Sequence, residues 1–162
     1  MLKELWILIK LLFSTKPNDI KELELLGMDY FPFNGYRFMS WCGKMIYRRS
    51  DYDRLQEEIE TERFERNKIH ETIHLCQAQY MGSWLKYYLK YFWEWIKGNP
   101  FIAPSSSAYK TLNFEIEAYA NEDNPDYIDN YDGSNLLKYT IKNRKKVYIE
   151  HSYEWKKFIK TL

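Results

Sequence analysis

Residues 66–81 read RNKIHETIHLCQAQYM, and within them Ile69, Ile73, Cys76 and Tyr80 recur at i, i+4, i+7 and i+11. That spacing places them on one stripe of an α-helix. His70, His74, Gln77 and Met81 form the adjacent stripe. Two histidines four residues apart lie one turn up the same face, so their imidazoles can converge on a single ion at roughly 2.0–2.1 Å. Glu71 projects to the side of that pair, where it can reach a water on the ion without being a ligand. The run His70-Glu71-Thr72-Ile73-His74 is the His-Glu-x-x-His pattern of zinc hydrolases, and it uses two of the three histidines in the chain. The alternative for such a pair is two histidines satisfied by hydrogen bonds beside a core.

A catalytic zinc needs a third protein ligand and an open position for water. Downstream stands Phe114-Glu115-Ile116-Glu117-Ala118-Tyr119. On a helical wheel drawn from Leu112, Glu115 falls on the face shared with Ile116 and Tyr119, whereas Glu117 points away. A carboxylate on a packed face is costly unless it is paired or bound to metal. Glu115 is therefore the expected ligand, with an Arg or Lys partner as the alternative role; Glu117 and Glu122 stand next in line.

Outward from the motif, Gly82-Ser83 interrupts the helix and a second one runs over residues 84–96 to Gly98-Asn99-Pro100. Lys86, Lys90, Glu94 and Lys97 line up on it as a narrow polar strip, and aromatic and aliphatic residues fill the rest of its surface. Such a face must be covered, by the core, a membrane interface or a partner. Before the motif, Asn34-Gly35 and Cys42-Gly43-Lys44 are turn signals around Tyr36–Trp41 and Met45–Arg49, which predicts a small antiparallel sheet. Ser50 and Asp53 mark a helix start, and the dense mixed charge of Asp51–Arg66 suits a solvated helix or its lead-in. At the start, Leu2, Leu5, Trp6, Ile9, Leu12 and Phe13 follow helical spacing over residues 2–13. That predicts a docked amphipathic helix, with attachment to a membrane surface as the alternative. Pro17 breaks it.

Pro104 and Ser105–Ser107 read as a loop and Tyr109–Asn121 as a helix. Glu122–Asn135 is an acidic loop whose acids lack the alternating spacing of a calcium loop. Residues 147–162 carry Ile149, Tyr153, Trp155, Phe158 and Ile159 among basic residues, as a last amphipathic helix would.

The chain of 162 residues is of single-domain length, and its 6 Trp, 15 Tyr and 9 Phe supply a bulky core. A net charge of +1 gives no single-sign field for nucleic acid or an anionic membrane. Cys42 and Cys76 are too few for a disulfide framework or a four-ligand zinc site and are expected as buried thiols. The first apolar run is too short to span a bilayer and has no small-residue cleavage pattern. The expected location is cytoplasmic, with peripheral membrane contact as the alternative.

With its His70–His74 motif followed by Glu115-x-x-Ala118, the sequence resembles the gluzincin clan of zinc metallopeptidases, whose third ligand is a glutamate on a following helix. It is especially similar to small, minimal gluzincin-like proteins in which an aromatic helix separates the motif from a Phe-Glu-x-Glu-Ala-Tyr segment, here Phe114–Tyr119. The likeness covers about residues 36–122. In the large integral-membrane members the residue after the alanine is an aspartate that braces a zinc-binding histidine; Tyr119 stands there in this chain. The resemblance implies a zincin-like fold with the motif helix beside a short sheet and the ligand helix crossing below it.

The sequence thus predicts one α+β, mostly helical domain holding Zn²⁺ through His70, His74 and Glu115. It would hydrolyse a peptide or protein substrate, with a metal-activated water and Glu71 as general base. Tyr109, Tyr119 and His151 are the candidate oxyanion donors. Two rival readings keep the same residues: a catalytically silent zinc-binding protein, and a membrane-surface or partner-binding module acting through helix 84–96.

Overall fold

The computed structural model describes residues 1–32, 36–98, 105–134, 136 and 138–162. The predicted turn at Asn34-Gly35, the loop at Pro104 and the Asn99-Pro100 end of the aromatic helix lie outside them. The fold is α+β and mostly helical. Helix α1 (Leu2–Ser14) precedes strands β1 (Glu24–Met28), β2 (Met39–Trp41) and β3 (Lys44–Arg48). Helices α2 (Tyr52–Glu58), α3 (Glu62–Met81) and α4 (Trp84–Lys97) follow, then α5 (Ser105–Lys110) and α6 (Asn113–Asn121). The chain ends in α7 (Asp126–Asp129), α8 (Arg144–His151) and α9 (Trp155–Ile159).

The β2–β3 hairpin is antiparallel, as expected, pairing Met39 with Ile46 and Trp41 with Lys44. Its two turn residues, Cys42 and Gly43, have φ of 48° and 80°, the left-handed geometry that matches the twist of a two-residue hairpin. The third strand changes the sheet type. β1 lies parallel to β3, giving the order β1-β3-β2 and a mixed sheet with β2 at its edge. Nothing local in Glu24–Met28 announces this pairing, which depends on a crossover from distant chain.

Helix α3 starts where Thr61 Oγ1 accepts the Phe64 backbone N–H at 3.2 Å and stops at Gly82, whose φ is 68°. These are the N-cap side chain and the left-handed C-cap that helix ends require. Ser83 caps α4 in the same way, accepting from the Lys86 backbone N–H. Ile73, Leu75, Cys76 and Ala78 of α3 are buried. Leu75 and Ala78 meet Trp84, Tyr87 and Phe114 in the principal core. Cys42 and Cys76 are free, buried thiols, pushed up by burial to about 12 and about 11.

Five sequence expectations are corrected. Helix α1 docks mainly by a different face from the one predicted: Glu4 and Leu8 are buried and Leu11 and Leu12 pack on the core, so of the predicted row only Leu12 turns inward, while Leu2, Leu5, Trp6, Ile9 and Phe13 are exposed. The cause is Glu4, whose carboxylate accepts the backbone N–H groups of Asp29 at 2.6 Å and Tyr30 at 3.0 Å, each such charge-assisted bond contributing about 1.5–3 kcal/mol. Ser105–Ser107 is not a loop but opens α5, and the helix predicted over Tyr109–Asn121 is broken at Thr111-Leu112. The acidic loop contains the single turn of α7. The tail is two short helices joined by a 3₁₀ turn, with Trp155 and Ile159 buried against Ile116 and Tyr139 and with Tyr153 fully exposed.

Gly43 is the most demanding backbone position near the site. A Cβ there would overlap the Ile20 side chain, and its φ is left-handed. Gly43→Ala is expected to lower unfolding stability by at least about 1–2 kcal/mol from backbone strain alone, read as a lower midpoint in urea. An unchanged midpoint would contradict the turn geometry.

Candidate metal centre

Helix α3 carries His70 and His74 on one face, and α6 crosses it so that Glu115 enters between them. His70 Nε2 lies 3.5 Å from Glu115 Oε2, and His74 Nε2 lies 3.3 Å from Glu115 Oε1. Tetrahedral ligands at roughly 2.0–2.2 Å from an ion are themselves about 3.4 Å apart. One donor atom from each of the three residues lies within 4.8 Å of the others, and all three side chains are buried. His70, His74 and Glu115 form a group that could bind a metal ion.

The donors are held in the tautomer that ligation requires. His70 Nδ1 faces Glu122 Oε2 at 3.1 Å, and His74 Nδ1 faces Gln77 Oε1 at 2.8 Å. Both partners accept, so each Nδ1 carries a hydrogen and Nε2 is the ring nitrogen that faces Glu115, the one a metal would take. Gln77 is fixed in turn, because its amide donates to Phe114 O at 3.0 Å and to Glu117 Oε2 at 2.8 Å. Glu122 also accepts from Lys156 Nζ at 2.6 Å.

Among the described residues, Glu115 Oε2 is a buried oxygen without a hydrogen-bond donor, while Oε1 accepts from the Tyr91 hydroxyl at 2.7 Å. Leaving such an atom unpaired is costly. A cation at the meeting point of the three side chains satisfies it, which is the fit expected of a metal site. In the metal-free protein, protons supply that charge. Burial opposes a charged His70, but Glu115 and Glu122 outweigh it and hold the imidazole up to about 10. His74 is raised against the same desolvation, chiefly by Glu115. Burial would raise Glu115, yet the two histidines hold it well below the usual carboxylate range.

Glu71 stands beside this group, half-buried. Burial pushes its carboxyl up, against the pull of His70, His74 and a hydrogen bond from the Ser40 backbone N–H. A raised carboxyl in a cleft is the state suited to exchanging protons near neutral pH. The cleft, of about 520 Å³, is bounded by Met39, Ser40 and Trp41 of β2, by Tyr87, Tyr91 and Phe92 of α4, and by Tyr109. His74, Glu71 and Glu115 open into it.

The remaining predicted residues fall in different places. Glu117, expected to point away, is fully buried, because α6 is enclosed on both sides: Gln77 of α3 and the hydroxyls of Tyr127 and Tyr131 all donate to it. Glu122 stands at the other ring nitrogen of His70, its Oε2 3.1 Å from Nδ1. Tyr119 packs against the His70 ring at 4.4 Å. Tyr109 lines the cleft, and burial first, then the nearby Glu115 carboxylate, raise its hydroxyl pKa well above the usual range. His151 stacks on Phe158 at 4.0 Å in the tail, away from the centre. The sequence reading missed Tyr91 and Lys156, and it saw Gln77 only as a member of the histidine stripe. That stripe was the available signal for Gln77, whereas Tyr91 and Lys156 depend on tertiary packing.

Comparison with protein-family models, with curated proteins and with solved structures finds no match to this chain.

Metal must displace the protons held on His70 and His74. Affinity is therefore expected to rise with pH towards about 10, the value at which metal-free His70 loses its proton, with protons released on binding. Calorimetry in buffers of different ionisation enthalpy measures this directly, and a pH-independent affinity would contradict the site. Glu122→Gln is expected to weaken metal binding about 10–100-fold, as loss of an outer brace does; an unchanged dissociation constant would remove Glu122 from that role.

Proposed function

We propose that the protein is a zinc-dependent peptidase of gluzincin type. The observation that carries this reading is the placement of Glu71, a carboxylate with a raised pKa, beside a buried His70-His74-Glu115 group whose His74 and Glu115 open into a cleft. Two imidazole nitrogens and one carboxylate suit zinc and leave a fourth position free. When bound, zinc acidifies a coordinated water and polarises a carbonyl.

The chain's own residues supply the rest. Glu71 takes the proton of the attacking water and returns it to the departing amine. Ser40, by donating its backbone N–H to Glu71, holds that carboxylate in the cleft. Tyr109 is the hydroxyl placed to stabilise a developing oxyanion from the cleft wall. A peptide substrate is supported by β2, an edge strand that borders the cleft and can take an extended chain as an added strand.

Glu71→Gln is expected to retain stoichiometric zinc and to lose about 10²–10⁴-fold in peptide cleavage, the usual worth of a general base. Cleavage of a broad peptide library, measured beside metal content, decides it. Zinc retained with wild type and variant equally inert would assign the chain to silent metal binding instead.

A further inference from the structure

Helices α1 and α4 share an arrangement that the metal site does not use. Each turns a row of large apolar side chains outward: Trp6 and Phe13 of α1 are 67 and 76 % exposed, and Leu89 and Trp93 of α4 are 60 and 58 % exposed. Leu2 and Ile9 extend the first row, and Leu85 and Phe92 extend the second. Trp41 links the two helices, since its indole N–H donates to Leu8 O at 2.9 Å and its ring stacks on Tyr88 at 4.3 Å.

Charge on these helices is sorted. The acids they carry are Glu4 and Glu94, and both are buried. Glu4 is spent on the Asp29 and Tyr30 backbone, and Glu94 on Arg144 of α8. Lys3, Lys10, Lys86, Lys90 and Lys97 remain exposed. Lys97 and Lys90 also approach Glu94, at 3.1 and 3.7 Å, but with Arg144 this single carboxylate faces three cations. On a helical wheel Lys3 and Lys10 border the outward row of α1, and Lys86, Lys90 and Lys97 border that of α4. Apolar rows edged by lysines, on helices too short and mixed to cross a bilayer, are the pattern of helices lying in a membrane interface.

We propose that α1 and α4 together dock the protein on an anionic bilayer surface. Their outward apolar rows enter the headgroup region, and their lysines meet acidic lipid headgroups. A second copy of the chain is disfavoured as occupant because it would oppose one lysine-rich face with another. Phe92 belongs both to the outward row of α4 and to the cleft wall, so docking sets the cleft mouth beside the lipid surface. This inference is independent of the metal and of turnover.

Flotation of the full chain with phosphatidylcholine vesicles, with and without phosphatidylserine, tests it. Binding is expected only with phosphatidylserine and is expected to weaken as salt rises. Each lysine near such a surface is worth about a fivefold factor in binding, so Lys86→Gln with Lys90→Gln should cost roughly thirtyfold. Trp6→Ser with Trp93→Ser should abolish flotation; circular dichroism and metal content serve as folding controls for both variants. No flotation of the wild type at low salt, or equal flotation with neutral vesicles and no effect of the lysine changes, would overturn the proposal. A concentration-dependent dimer dispersed by Trp93→Ser, without vesicle binding, would overturn it in favour of a second copy.

Discussion

The carboxylate of Glu115, buried between the Nε2 atoms of His70 and His74, is the contact on which the arrangement of the protein's centre depends. A charge taken this far from water is tolerated only with compensating charge and hydrogen bonds. Tyr91 supplies one hydrogen bond and the imidazoles supply charge, yet one carboxylate oxygen is left without a donor. That residual demand accounts for the strong hold on protons at His70 and for the suitability of the group for a cation. It also constrains the fold: α6 must cross α3 at the height of the two histidines, which the packing of Phe114 against Tyr87 and Tyr91 and the bond from Gln77 to Phe114 O secure.

Around this contact the outer residues act as supports of different reach. Gln77 and Glu117 tie His74 to α6 within two neighbouring helices. Glu122 and Lys156 tie His70 to the far end of the chain, so the tail, which contributes nothing to the motif, helps to orient a histidine. Such outer partners fix ring orientation and raise ligand basicity, and in this molecule they draw on α3, α6 and α9.

What was legible in the sequence was local. The i, i+4 spacing of the motif revealed α3 and paired His70 with His74, and the wheel of residues 112–119 turned Glu115 inward, because helix periodicity and the cost of a buried carboxylate are short-range arguments. Three features defeated that logic. Glu4 sits on the inward face of α1 because it meets backbone N–H groups that follow β1, a contact across more than twenty residues, and the apolar row of α1 is thereby turned outward. Glu117 is buried because α6 is covered on its second side by Tyr127 and Tyr131, which no wheel can anticipate. The parallel pairing of β1 with β3 is likewise a matter of topology rather than pattern. On α4 the lysines of the expected polar strip do stay exposed, and only Glu94 turns in to meet Arg144 from α8.

X-ray absorption at the zinc edge of the metal-loaded protein tests the central claim most directly. Convergence of His70, His74 and Glu115 predicts a first shell of nitrogen and oxygen alone at about 2.0–2.2 Å, with the outer-shell scattering of two imidazoles. A sulfur shell at about 2.3 Å, which would place zinc on Cys42 or Cys76, or a shell without imidazole scattering, would contradict it.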